Sequence, residues 1–206
     1  FNNLLGAILG YGEMAVQTLG KRSTARGYVE EMVAAGVKAK QVVDQILAFS
    51  RKKHERTSSS FDVGEAVRAI VPLLEVSLAD RISLMVELPD PENAAVIDGE
   101  PIEIHQIIMN LTKNAMEASD AGQVVKLAVR CDTLSRRKVL SHGELGPGAY
   151  IRLRVQDHGA GMPEAVRARM FEPFFTTKSG TGGSGLGLSI VHGFVANLQG
   201  VMDVVS

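Results

Sequence analysis

Two stripes of apolar residues open the chain at the spacing of amphipathic helices. The first lies within residues 1–19 and the second runs from residue 24 to about residue 53 without a proline. Apolar side chains recur three, four and seven residues apart, which places them on one helix face. They are Leu4, Leu5, Ile8, Leu9 and Ala15, then Tyr28, Met32, Ala35, Ala39, Val42, Val43, Ile46 and Phe49. With a break at residues 20–23, the pattern predicts a helical hairpin over residues 1–53.

A lone hairpin leaves its two apolar stripes half exposed. A second copy would cover them in a four-helix bundle, and the rest of the same chain could also cover them. A helix of about thirty residues is ~45 Å long, so two hairpins could bury more than the ~1,600 Å² of a standard interface. We therefore expect a homodimer, with Leu5, Ile8, Val42, Val43 and Ile46 as candidates for its core.

The remaining pattern mixes helix and strand periods. A polar, serine-rich run predicts a linker at residues 54–60, followed by a second domain over residues 61–206. Helices are predicted at residues 63–76, from Pro101 onward, at 164–170 and at about 186–198, and strands at 82–88, 94–97, 125–131, 151–155 and 201–205. The strands at 125–131 and 151–155 alternate in polarity and could pair across a long loop. Together these elements predict an α+β sandwich with helices on one face of a sheet.

Composition narrows the function classes. The 206 residues are 45% hydrophobic, enough for a core, and the net charge of −1 provides no basic excess for nucleic acid. A single cysteine, Cys131, excludes an internal disulfide and suits a reducing compartment, so we expect a cytoplasmic location. No run approaches the ~20 apolar residues of a membrane span. We expect no membrane contact by these residues, although a longer parent protein could be membrane-anchored.

The helix from Pro101 carries a polar stripe opposite its apolar stripe. Its members are Glu103, Gln106, Asn110, Asn114 and Glu117. Asn110 and Asn114 are four residues apart and therefore lie one above the other on a single face. Amide oxygens are suitable ligands for a magnesium ion that already carries phosphate oxygens. Taken alone, however, two such asparagines are more often a solvated helix face.

A second polar motif, Asp157-His158-Gly159-Ala160-Gly161, follows directly on an alternating strand. A carboxylate at a strand end can accept a hydrogen bond from an exocyclic amine such as that of adenine. The two glycines would let the backbone approach a flat ring closely. An ordinary turn is the simpler interpretation of the pentapeptide.

A third motif is rich in glycine, with five glycines among residues 180–187, directly before a predicted helix. Glycines at a helix N-terminus leave several backbone N–H groups facing an anion, which favours phosphate binding over a plain linker. The spacing fits neither the Walker nor the Rossmann pattern. Just upstream, three of the seven phenylalanines fall in residues 171–175, where they could plug a core or hinge a loop.

The order of these motifs is more specific than any one of them. An Asn-x-x-x-Asn helix, an Asp-x-Gly-x-Gly turn, a phenylalanine cluster and a Gly-x-Gly-x-Gly helix start resemble the N, G1, F and G2 boxes of histidine kinases. These kinases belong to the ATPase superfamily of gyrase, the Hsp90 chaperones and MutL, whose sandwich is the Bergerat or GHKL fold. The resemblance covers residues 61–206, and residues 141–150 resemble the VirA type of sensor kinase.

The resemblance implies an ATP–Mg²⁺ site, with Asn114 and Asn110 holding magnesium against the triphosphate. Asp157 would bind the adenine amino group, and Gly159 and Gly161 would shape its pocket. Residues 171–184 would form a lid. The glycine-rich stretch would face the phosphates, and two lysines and a threonine would lie near them; these residues are Gly183, Gly185, Leu186, Gly187, Lys113, Lys178 and Thr177.

The N-terminal segment Phe1-Asn2-Asn3-Leu4-Leu5 is similar to the end of the His-Asp-Phe-Asn-Asn-Leu-Leu segment of hybrid sensor kinases. The resemblance places the phospho-accepting histidine two residues before Phe1 and gives Asn3 the position that orients water for phosphatase work. It also leads us to expect a further strand and a Gly-Thr-x-Phe segment beyond Ser206.

The resemblance implies a sensor protein-histidine kinase that passes phosphate to an aspartate of a response regulator or receiver domain. An ATPase switch of the gyrase or Hsp90 type is the alternative within the fold. Hydrolysing members carry a glutamate base four residues before the magnesium asparagine, where this chain has Asn110, so water attack should be slow. A non-catalytic dimerisation scaffold with a degenerate nucleotide site is the alternative outside catalysis. The presence of Asn114, Asp157 and Gly185 argues against it.

Overall fold

The computed structural model describes residues 2–20, 23–51, 59–78, 82–90, 94–178 and 183–206. The chain divides into two compact units, Phe1–Arg56 and Thr57–Ser206. Most of the predicted linker, residues 54–58, lies outside the described residues. Its last two residues, Ser59 and Ser60, are already part of a strand. Within the described ranges, no helix is long and apolar enough to cross a membrane.

The first unit is a hairpin of the two expected helices, α1 (Asn2–Thr18) and α2 (Thr24–Arg51). The helices pack closely at two glycines, since a Cβ on Gly12 would lie 2.5 Å from Val33 Cγ2 and one on Gly36 would lie 2.8 Å from Leu9 Cδ2. The Arg26 guanidinium donates to the carbonyls of Val16 and Leu19 near the end of α1. It therefore satisfies carbonyl groups that the helix itself leaves unpaired.

The second unit contains four helices and seven strands in its described part. The helices are α3 (Val63–Leu78), α4 (Pro101–Ala118), α5 (Glu164–Arg167) and α6 (Gly187–Asn197). The strands are β1 (Ser59–Asp62), β2 (Ser83–Glu87), β3 (Val96–Gly99), β4 (Val124–Leu134), β5 (Lys138–Leu140), β6 (Gly143–Leu145) and β7 (Gly148–Gln156).

The main sheet has the order β2-β4-β7. Strand β2 runs parallel to β4, and β7 runs antiparallel to it with Leu127 opposite Val155. The predicted pairing of the two alternating strands is thus confirmed. Strands β1 and β3 form a separate antiparallel pair. Strands β5 and β6 form a small hairpin in the segment of chain that connects β4 to β7.

The core lies between this sheet and the helices. Val125, Leu127 and Val129 on β4 are at most 1% exposed, and Ile108 on α4 is fully buried. Helices α3 and α6 both pack on α4, and α4 packs on β4 and β7. On its other face the sheet carries charged side chains, with Glu87 bound to both Lys126 and Arg130. The predicted α+β sandwich with helices on one face is confirmed.

Two predicted elements are wrong in extent or kind. Residues 164–170 contain only the four-residue helix α5. Residues 201–205 do not form a strand; Met202 makes a single bridge to His142. The reason is that side chains accept the backbone hydrogen bonds that a strand ladder would use. The Asp203 carboxylate accepts from the Ser141 N–H, and the Ser141 hydroxyl accepts from the Val204 N–H.

Candidate functional site

The asparagine face of α4 meets the first residue of α6. A Cβ placed on Gly187 would lie 3.1 Å from Asn110 Oδ1 and 3.8 Å from Asn114 Nδ2. Asn110 donates its Nδ2 hydrogen to the Gln106 carbonyl at 2.8 Å, which turns Oδ1 toward α6. The structure therefore brings together the first and third motifs, which are 77 residues apart at Asn110 and Gly187, and glycine at position 187 permits this close approach.

The start of α6 has no side-chain cap. Its N-cap residue is Leu186, a buried apolar residue that makes no capping hydrogen bond. The first N–H groups of a helix have no intrahelical acceptor, and the helix dipole places partial positive charge beside them. The helix start against Asn110 and Asn114 is therefore suited to an anion.

The Asp157 turn lies against Ala118 at the C-terminal end of α4, four residues beyond Asn114. A Cβ on Gly159 would lie 2.4 Å from the Ala118 carbonyl oxygen, so the approach of the turn to the helix requires glycine. Asp157 is exposed, and its Oδ1 accepts from the Gly159 N–H at 2.9 Å. One carboxylate oxygen thus holds the turn, and the second remains as an acceptor for a ligand. The Asp157 and Asn110 motifs are separated by about two turns of α4, or ~12 Å.

The glycine stretch and the phenylalanine segment lie against each other. Gly185 has φ of +67°, and a Cβ there would lie 2.4 Å from the Phe174 carbonyl carbon. A Cβ on Gly183 would lie 2.7 Å from Thr176 Oγ1. Positive φ and this close approach both explain the glycine at position 185. The central residues of the predicted lid, 179–182, lie outside the described residues.

Four other predicted site residues are not joined to these motifs by the contacts described above. Lys113 and Thr177 are exposed. The nearest atoms to a Cβ on Gly161 belong to Ser206, whose hydroxyl also accepts from the Met162 N–H. Asn3 lies in α1, and its side chain is outside the described set.

Lys178 has a partner that the sequence argument did not assign. Its Nζ lies 3.0 Å from Glu117 Oε2 on α4, three residues beyond Asn114. Glu117 belongs to the polar stripe of this helix, and this periodicity is the sequence feature that could have placed it on the same face as Asn110 and Asn114. Nothing in the spacing could pair it with a residue 61 positions later.

The donor set limits the metals that would fit. The described residues contain no cluster of three or more His, Cys, Asp or Glu side chains suited to a metal. Neutral amide oxygens beside a helix start instead fit a hard cation that takes most of its ligands from phosphate and water. Asn110 Oδ1 lies beside the start of α6, so the residues present are compatible with magnesium.

Comparison with known proteins identifies the family of the chain. The profile of the histidine kinase-, DNA gyrase B-, and HSP90-like ATPase family matches residues 99–206. The two-component sensor PprA of Pseudomonas aeruginosa is 33% identical over 172 residues, which are 84% of this chain and 18% of PprA. The chain spans about a fifth of the length of the first curated relatives it matches.

Two solved structures share the fold. Full-length ShkA in complex with AMPPNP aligns with a TM-score of 0.62 at 24% identity, covering 95% of this chain and 38% of ShkA. Histidine kinase ThkA in complex with the response regulator protein TrrA aligns with a TM-score of 0.56 at 24% identity, covering 97% of this chain and 52% of that chain. The predicted resemblance to a histidine kinase catalytic core is confirmed, and the chain belongs to the histidine kinase-, DNA gyrase B-, and HSP90-like ATPase family.

Proposed function

We propose that the chain is the core of a sensor protein-histidine kinase, which binds ATP with Mg²⁺ and transfers the γ-phosphate to a histidine. The observation that carries this proposal is the arrangement on α4. Its asparagine face meets the uncapped glycine start of α6, and its C-terminal end meets the Asp157 turn. One extended ligand with a polar ring and an anionic tail would contact the Asp157 turn with its ring and the start of α6 with its tail.

At the adenine end, Asp157 binds the exocyclic amine with the carboxylate oxygen that does not hold the turn. Gly159 keeps the backbone of the turn against Ala118, which fixes Asp157 beside the C-terminal end of α4. A hydrogen bond to a carboxylate contributes about 1.5–3 kcal/mol when its partner would otherwise be left unpaired. Asp157 therefore provides base selectivity as well as affinity.

At the phosphate end, the N–H groups at the start of α6 bind the phosphates, together with Gly183, Gly185 and Gly187. Asn110 and Asn114 would hold magnesium, which when bound neutralises charge on the phosphate oxygens. The protein's own part is to orient the terminal phosphate and to exclude alternative geometries. Lys178 and the exposed Lys113 and Thr177 lie in segments that would face this end.

Transfer of the γ-phosphate to histidine is favoured over its hydrolysis because α4 carries an amide side chain at position 110. An amide cannot act as a general base toward water. Nearby, Glu117 is paired with Lys178, and Glu103 is only 5% exposed. An imidazole delivered to the site needs no such base, and the acceptor histidine is proposed to lie two residues before Phe1. Asn3 would then orient water in a phosphatase reaction.

The proposed partners are a second copy of the chain and a response regulator or receiver domain. The structure of ThkA in complex with the response regulator protein TrrA supports the second of these. The first is supported by exposed apolar residues along the hairpin: Leu4, Ile8, Tyr11, Met14, Tyr28, Met32 and Val37 are 42–74% exposed.

Calorimetric titration of the chain with Mg·ADP tests the site. The wild type should bind, and Asp157→Asn should weaken binding by ~2 kcal/mol, or roughly 30-fold, because an amide presents its own N–H groups to the adenine amine. Asp132→Asn is the matched control, an ion-paired aspartate on β4. No binding by the wild type would refute the nucleotide site, and unchanged affinity in the variant would remove Asp157 from it.

A further inference from the structure

The ion pair between Glu117 and Lys178 joins the two halves of the proposed site. Glu117 lies between the Ala118 end of α4, which meets the Asp157 turn, and Asn114, which meets α6. The side chains of Lys178 and Glu117 are 39% and 34% exposed, and their charged atoms are 3.0 Å apart. The pair is therefore at the site's surface, where an entering ligand could reach it.

The backbone ties Lys178 to the glycine stretch as well. The Gly183 N–H donates to the Lys178 carbonyl at 3.2 Å, and the Lys178 N–H donates to Thr176 Oγ1 at 3.0 Å. Lys178 is thus placed beside residues that lead into α6. Its ammonium, however, is directed to the Glu117 carboxylate on α4.

Glu117 is an unexpected charge for a phosphate site. A carboxylate that pairs with a lysine keeps the positive charge of that lysine from the phosphates. Every phosphate added to the ligand increases the affinity that is lost in this way. A neutral residue at position 117 would release Lys178 to the phosphates.

We propose that Glu117 is a specificity-determining residue that limits the phosphate contribution to nucleotide affinity by holding Lys178. This inference rests on the proposed nucleotide site and adds a residue that weakens the hold on phosphates. Because ADP is the product of phosphoryl transfer, a weaker hold on its phosphates favours its release. The predicted signature is an effect that depends on ligand charge and requires Lys178.

The test uses the full chain at low ionic strength, where exposed charges are least screened. Glu117→Gln should lower the Kd for Mg·ADP about threefold, the scale of one exposed ion pair. Binding of adenosine, followed by amide chemical shifts, should be unchanged, since adenosine carries no phosphate. In a Lys178→Gln background the gain from Glu117→Gln should disappear. Glu30→Gln, which breaks a 2.8 Å ion pair with Arg26 in the hairpin, is the matched control and should leave both ligands unaffected.

The outcomes separate the possible failures. Unchanged ADP affinity in Glu117→Gln, or an equal gain for adenosine, would overturn the inference while leaving the nucleotide site intact. A gain that persists without Lys178 would show direct repulsion and would also overturn it. If the wild type binds neither ADP nor adenosine, the proposed function itself fails.

Discussion

At the scale of single residues, the site depends on glycines, which have no Cβ atom. Gly187, Gly159 and Gly185 each lie where a Cβ would press on a neighbouring element, at 3.1, 2.4 and 2.4 Å respectively. For Gly159 and Gly185 the neighbouring atoms are backbone, so substitution would displace whole segments. For Gly187 the neighbour is the side-chain oxygen of Asn110, which can move slightly. Gly187 is therefore the position where function and folding can be separated.

Gly187→Ala should reduce Mg·ADP affinity by about tenfold or more while leaving the fold intact. Alanine favours a helix over glycine by roughly 0.5–1 kcal/mol, which offsets the tight contact with Asn110. The methyl group would nevertheless press on Asn110 Oδ1, a proposed magnesium ligand, beside the helix start where the phosphates are proposed to bind. Calorimetry gives the affinity, and thermal unfolding by circular dichroism checks the fold.

A matched control exists in α3. A Cβ on Gly64 would lie 3.1 Å from Asp62 Oδ1, which is also a side-chain oxygen and is at the same distance. Gly64→Ala should bind nucleotide like the wild type. Equal affinity in Gly187→Ala and the wild type would mean that the start of α6 does not contact the phosphates.

At the scale of elements, the periodicity of apolar residues predicted the helices and strands that pack into the core. The apolar stripe of α4 includes Ile104, Ile107 and Ile108, all at most 5% exposed. The alternation at 125–131 predicted β4, and its partner β7 pairs with it in register from Lys126↔Gln156 to Leu134↔Gly148. These elements bury one face, so their sequence pattern is set by the core.

The elements that periodicity missed have little buried face. Strands β5 and β6 have three residues each, and Val139 in β5 is 74% exposed. The apolar residues 201–205 were predicted as a strand, but the hydroxyl of Ser141 and the carboxylate of Asp203 take hydrogen bonds that a ladder would use. Likewise, the meeting of Glu117 with Lys178 is a tertiary contact that no local pattern encodes.

At the scale of the whole molecule, we propose that two copies of the chain form a dimer through the hairpin. Among the predicted core residues, Leu5 is partly buried and Ile8 is 49% exposed. The side chains of Val42, Val43 and Ile46 lie outside the described residues. The exposed apolar side chains of α1 and the first half of α2 are of the kind that a second copy would bury.

Light scattering should show a dimer for the wild type at micromolar concentration and a monomer for Ile8→Asp. The substitution buries two unpaired carboxylates per dimer, which is strongly unfavourable. Ile102→Asp is the matched control, since Ile102 is 50% exposed on α4 in the second unit. It should leave the dimer intact. A monomeric wild type would contradict the proposed assembly.

The central claim, that this fold transfers phosphate to histidine, is tested most directly by labelling. A chain extended upstream through the proposed acceptor is incubated with magnesium and γ-labelled ATP, and both protein-bound label and free phosphate are measured. We predict an acid-labile, alkali-stable label on the protein that is lost in Asn114→Ala, with little phosphate released. Steady release of phosphate without protein label would contradict the claim and identify an ATPase switch instead.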